Sequence, residues 1–133
     1  MTVALAFWVA AGSALGGVIR FGLTHAIQSR LLTPFPAATL SINVIGSLIL
    51  GFVMRIALSS TALSVETQLF LTTGFCGGFT TFSTFSYETI RLLEDGDYRR
   101  AGLYALASVV LSLIGVLVGF SLARGLLAAR RGI

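Results

Sequence analysis

The chain is predicted to be an all-α membrane protein with four transmembrane helices, the third broken at mid-membrane. Three observations carry that prediction. Ionisable side chains are confined to short segments, which leaves charge-free runs at positions 1–19, 31–54, 67–87 and 101–123 of the 133-residue chain. About 20 apolar residues cross a bilayer as a helix, so four such runs use up most of the length. Composition agrees: 56% of residues are hydrophobic and 11% charged, where a soluble domain carries about a quarter charged residues. The third observation is the segment FCGGFTTFSTFSY at 75–87, which sets Gly77-Gly78, Thr80, Thr81, Ser83 and Thr84 inside one of these runs. Irregular or polar backbone at membrane depth persists only where protein or a water-filled path surrounds it.

The first span is expected over 3–26. Small residues follow its apolar stretch, as in a signal peptide, but no Arg or Lys precedes it, so the charged leading region is missing and a retained span is expected. Gly12-x-x-x-Gly16 and Ser13-x-x-x-Gly17 permit close helix contact. Arg20 stands near the end of this span, either snorkelling to the interface or drawing anions toward a vestibule.

Pro34 and Pro36 break the connector and lead into the second span, 37–58. There Asn43, Ser47 and Gly51 share one side at i, i+4, i+8. A membrane-embedded amide must be hydrogen-bonded, so Asn43 is either interhelical glue or a donor aimed at a permeating anion.

The third span is expected over 65–94, with Ser64 as its cap, Glu66 in its first turn and a glycine-led break near 76–82. A discontinuous helix exposes backbone groups that hold ions. Phe82 and Phe85 share a face beyond the break. Glu88 begins the return to water, paired with an arginine or facing a vestibule.

The sequence Glu94-Asp95-Gly96-Asp97-Tyr98-Arg99-Arg100 is a polar turn. The fourth span, 99–126, carries Tyr104, Ser108 and Ser112 in a row, a candidate polar track, followed by Gly115-x-x-x-Gly119. The small-residue faces of spans one, two and four are read as contacts for a partner. The whole chain forms one membrane domain.

Charge excludes some functions. All nine cations are Arg, and they flank the apolar runs, the usual place of membrane anchors, rather than forming the basic face that nucleic acid requires. With four spans, Arg55, Arg124, Arg130 and Arg131 fall on one side and Arg30, Arg91, Arg99 and Arg100 on the other. This balance suits a chain that inserts both ways and pairs with an inverted copy of itself. Enzymatic chemistry is not expected: the single histidine, His25, stands near an interface, and no nucleophile–base pair or metal cluster is present. Cys76 has no partner for a disulfide.

The buried polar inventory consists of hydroxyls, one amide and aromatic rings, all able to present positive edges or hydrogens to an anion. A proton-coupled cation exporter needs a titrating acid at depth, and span one has none. A small proton-coupled four-span exporter is therefore the alternative, not the leading reading. Two inverted half-helix breaks meeting near the midplane would cluster carbonyl oxygens, which suit hard cations.

Three segments resemble the CrcB/Fluc fluoride channels: Gly17-Val-Ile-Arg20-Phe21, Thr39-Leu-Ser-Ile-Asn43-Val-Ile-Gly46-Ser47, and above all the run from Gly74 to Glu88. The resemblance covers the chain in order and length, and departs at Ala37-Ala38, where many relatives have a bulky aromatic and a glycine. It implies a dual-topology antiparallel homodimer in the cell membrane that passively exports fluoride and so lowers its toxicity. It further implies that Phe82 and Phe85 are pore phenylalanines with Asn43 as the donor beside them. Thr81, Thr84, Tyr104, Ser108 and Ser112 become candidates for the polar track. Gly77 and Thr80 would offer carbonyls to a structural sodium ion shared by the two chains, and Arg20 would sit near an entrance.

Overall fold

The computed structural model describes residues 3–31, 33–59 and 63–131. Helices α1 (Val3–Gln28), α2 (Ala37–Ser59) and α6 (Tyr98–Arg131) are each long and apolar enough to cross a membrane. Between α2 and α6 the chain is divided. Helix α3 (Val65–Leu69) passes into a π-helical segment at Phe70–Cys76, then α4 (Gly77–Phe79); after Thr80 and Thr81, helix α5 (Phe82–Glu94) follows. No piece of 65–94 alone reaches membrane-crossing length.

Local chemistry sets the ends. The Ser64 hydroxyl accepts the Thr67 amide proton at 3.2 Å and caps α3. Helix α5 ends where Gly96 adopts φ 76°, the left-handed region that favours glycine. The Gly96 N–H donates to the Leu93 carbonyl and the Asp97 N–H to that of Leu92, a closed C-terminal turn. Asp97 then starts α6 by accepting the Arg100 amide at 3.1 Å.

Two close helix contacts organise the chain: α1 against the π-helical segment and α4, and α2 against α6. Both depend on glycine. A Cβ at Gly12 would run into the Phe70 carbonyl, one at Gly16 into that of Phe75, and one at Gly78 into that of Ser13. On the other contact, a Cβ at Gly51 would lie 2.9 Å from Val116 Cα, and one at Gly119 would meet the Leu48 carbonyl. Such backbone-to-backbone approach is the use of small residues in membrane helices.

This corrects two sequence expectations. Gly12, Gly16, Gly115 and Gly119 are consumed by contacts within one chain, so they say nothing about a second copy. The paired glycines are also not where the chain leaves the helix. Gly77 keeps a helical φ of −64°, and the extended residues are Thr80 (φ −81°, ψ 159°) and Thr81 (φ −152°, ψ 112°). Gly78 serves packing against α1; Gly77 has no atom within 4 Å of where a Cβ would stand.

Gly78→Val should therefore destabilise the purified protein by about 1–3 kcal/mol of overpacking or more and lower its unfolding temperature. Gly102→Ala, on an open face of α6, should leave that temperature equal or slightly raised. Matching melting curves for Gly78→Val and the parent would contradict the packing described.

Candidate functional site

Thr80 and Thr81 interrupt a helix in an apolar environment, so their backbone groups need partners. Asn43 of α2 supplies two. Its Nδ2 donates to the Thr81 carbonyl at 3.1 Å, and its Oδ1 accepts the Thr81 N–H at 2.8 Å. The carboxamide thus stands in for a neighbouring peptide group. The Thr81 hydroxyl accepts the Thr84 N–H at 3.2 Å, capping α5, and donates to the Thr84 hydroxyl at 3.0 Å. Thr80 Oγ1 donates back to the Cys76 carbonyl at 2.8 Å.

These bonds have a consequence for Gly77 and Thr80. In an unbroken helix their carbonyls would accept from the amides of Thr81 and Thr84. Those two amides are committed to Asn43 and to the Thr81 hydroxyl. Both carbonyls therefore lack their helical donor.

A groove of about 370 Å³ runs beside the interruption, lined by Asn43, Thr81, Phe82, Phe85, Ser108 and Ser112 among others. Ser108 is only 6% exposed, and its Oγ has no hydrogen-bond partner. A buried hydroxyl without a partner is uncommon and costly. Asn43 still has a second amide hydrogen to offer here. Phe82 is 79% exposed, with its ring centroid 5.4 Å from that of Phe85. Phe85 in turn lies 5.3 Å from the Tyr104 ring.

A second cavity, of about 250 Å³, lies on the α1 side of α5. Arg20, Thr24, Thr39, Thr81, Thr84 and Glu88 line it. Thr81 is common to both spaces. The structure thus distributes the sequence candidates: Asn43, Phe82, Phe85, Ser108 and Ser112 share the groove, while Arg20 and Thr84 share the cavity.

Tyr104 does not line the groove with Ser108 and Ser112, as its place in their row suggested. It is fully buried, and its hydroxyl donates to Glu88 Oε2 at 2.6 Å. The other carboxylate oxygen accepts from Thr39 Oγ1 at 2.9 Å. The reason is packing: Phe35, on the connector before α2, sets its ring edge-on to Tyr104 at 5.7 Å, and Phe85 flanks the other side. Glu88 is therefore partnered by hydroxyls rather than by an arginine. Thr39 is a site residue absent from the sequence candidates; the signals available were a hydroxyl at the start of α2 and its place at the head of the segment that resembles the CrcB/Fluc channels.

These features define a helical membrane protein in which an interrupted helix is flanked by polar spaces. The sequence model of the family described as CrcB-like protein, Camphor Resistance (CrcB), matches residues 7–120, and the chain belongs to that family. A fluoride-specific ion channel FluC from Geobacter sulfurreducens is 48% identical over 126 residues, covering 95% of this chain and 100% of the relative. One from Syntrophotalea carbinolica is 46% identical over 119 residues, 90% of this chain and 97% of the relative. A FluC from Thermus thermophilus is 46% identical over 114 residues, 86% and 90% respectively. These relatives are named as channels, not as enzymes.

Asn43→Ala should cost about 1–3 kcal/mol for each Thr81 backbone group left unpaired, and should speed hydrogen exchange at the Thr81 amide. Unchanged exchange there would contradict the bracing role. A cycle of Tyr104→Phe and Glu88→Gln should show a coupling of about 0.5–3 kcal/mol in unfolding free energy; additivity would mean that the 2.6 Å bond contributes nothing.

Proposed function

We propose that this chain is a passive, fluoride-selective channel that lets fluoride leave the cytoplasm across the cell membrane. The observation that carries the reading is the Ser108 hydroxyl, buried and unpartnered in a groove that also holds Asn43 and two phenyl rings. A small, hard anion with a strong demand for hydrogen-bond donors fits that inventory. Ser108 and Ser112 offer hydroxyl hydrogens, Asn43 its second amide hydrogen, and Phe82 and Phe85 the positive edges of their rings. Thr81 and Thr84 continue the hydroxyl lining into the cavity where Arg20 raises the local anion concentration. The names of the relatives, fluoride-specific ion channels, support the choice of anion.

The same reading makes the active unit an antiparallel pair of identical chains, each with four crossings, the third formed by the interrupted segment 65–94. Phe82 stands open to the outside of a single chain, so its groove needs a second wall. Gly77, exposed and without near neighbours, allows close approach of that second copy. The balanced arginines permit the inverted partner.

A sodium ion fits the interruption. The Gly77 and Thr80 carbonyls, deprived of their helical donors, are hard oxygen ligands of the kind such a cation takes. With its inverted copy, a pair would offer four of them. When bound, the ion would supply positive charge and a fixed joint between chains. Asn43 and Thr81 would hold the carbonyls in place.

Efflux from liposomes tests the function directly. Vesicles loaded with fluoride should release it without a proton gradient, and chloride-loaded vesicles should not release chloride. Phe82→Ile, Phe85→Ile or Ser108→Ala should each slow fluoride release by about tenfold or more, the scale set by about 1.4 kcal/mol of lost interaction, with the pair still forming. Strict dependence on a proton gradient would refute the channel. Release that is undiminished in rigorously sodium-free medium would refute the cation site alone.

A further inference from the structure

We propose that Arg91 is an outer capture cation for fluoride, at the water end of a polar ladder on α5, and this rests on the channel reading above. Thr81, Thr84, Glu88, Arg91 and Asp95 follow one another at i, i+3, i+7, i+10 and i+14, which places them on one face of the helix. The face leads from the interrupted backbone to the polar turn at Asp95-Gly96-Asp97. Its inner rungs line the cavity that holds Arg20.

Its outer rungs line a separate cavity of about 270 Å³, bounded by the connector from Thr33 to Pro36 and by Ala37 and Ala38 at the start of α2. Gln28, Thr33, Tyr87, Glu88, Arg91 and Asp95 are among its walls. The two cavities share Gln28 and Glu88. An anion moving from the outer space to the inner one therefore passes the Glu88 carboxylate.

That carboxylate is satisfied by two hydroxyl groups, of Thr39 and Tyr104, and not by a cation. Among the described residues the one ion pair is Arg100 with Asp97. Arg20 and Arg91 thus stand on either side of Glu88, one in each cavity, with guanidinium groups not committed to a carboxylate. Asp95, one turn further out, adds a second negative charge. A fluoride ion approaching from water would be turned back by Asp95 and Glu88 if Arg91 did not lie between them. The arrangement assigns Arg91 the first attraction and Arg20 the second, with Glu88 as the divide.

Capture by a solvated charge is a long-range effect that salt screens: the Debye length falls from about 30 Å at 0.01 M to about 3 Å at 1 M ionic strength. Arg91→Gln, Arg91→Met and Arg91→Lys would be reconstituted in liposomes, with sodium constant and ionic strength set by a large organic salt. At low ionic strength and low fluoride, Arg91→Gln and Arg91→Met should release fluoride about 3- to 10-fold more slowly than the parent. Their release at saturating fluoride should match the parent, and the deficit should vanish near 1 M ionic strength. Arg91→Lys should behave like the parent. The proposal is overturned if Arg91→Gln equals the parent at low ionic strength and low fluoride, if its deficit persists at high salt, or if Arg91→Lys is equally impaired. A parent chain that releases no fluoride at all would instead remove the channel reading itself.

Discussion

The bracing of Thr81 by Asn43 is the interaction on which the rest depends. Interrupting a helix among apolar neighbours strands amide hydrogens and carbonyl oxygens, at several kcal/mol for each one left bare. The chain repairs this unevenly. The Asn43 carboxamide takes both the N–H and the carbonyl of Thr81, and the Thr81 hydroxyl takes the Thr84 N–H. The carbonyls of Gly77 and Thr80 lose their helical donors to these same bonds. The repair reaches the Thr81 and Thr84 amides but leaves the Gly77 and Thr80 carbonyls without their helical donors, which makes the gap a place of free negative dipoles rather than a neutral kink.

The gap also has to be held at a fixed depth and rotation. Glycines at 12, 16, 74 and 78 bring α1 into backbone contact with the π-helical segment and α4. A wider helix turn, with one more residue per hydrogen-bonded ring, alters the rotation of everything that follows. Close packing on either side of it leaves α4 little room to slide. Gly78, one of the pair that looked like the break in the sequence, is thus part of the clamp beside the break.

Charge follows the same division. On the groove side of α5 the polar groups are hydroxyls, an amide and ring edges. On the α1 side they include Arg20 and a carboxylate that owes its place to Thr39 and Tyr104. Thr81, shared by both spaces, joins the two environments. One residue therefore accepts and donates in the backbone repair, caps α5 and lines both sides of the interruption.

The amino-acid sequence by itself determined the coarse class of fold, an all-helical chain with apolar helices long enough to cross a membrane, and it named Asn43, Thr81, Phe82, Phe85, Ser108 and Ser112, which line the groove. Apolar length, charge-free runs and cap residues such as Ser64 act over a few neighbouring positions, so they are legible in one dimension. Only the tertiary structure decided what those residues touch. Asn43 and Thr81 are 38 positions apart, and Thr39 and Glu88 are 49 apart, so no local pattern could pair them. Tyr104 shares a helical row with Ser108, yet packing by Phe35 and Phe85 turns its hydroxyl to Glu88. Gly77 and Gly78 read alike in sequence; one lies open and the other is pressed against Ser13, because only the folded chain brings α1 to one of their faces and not to the other.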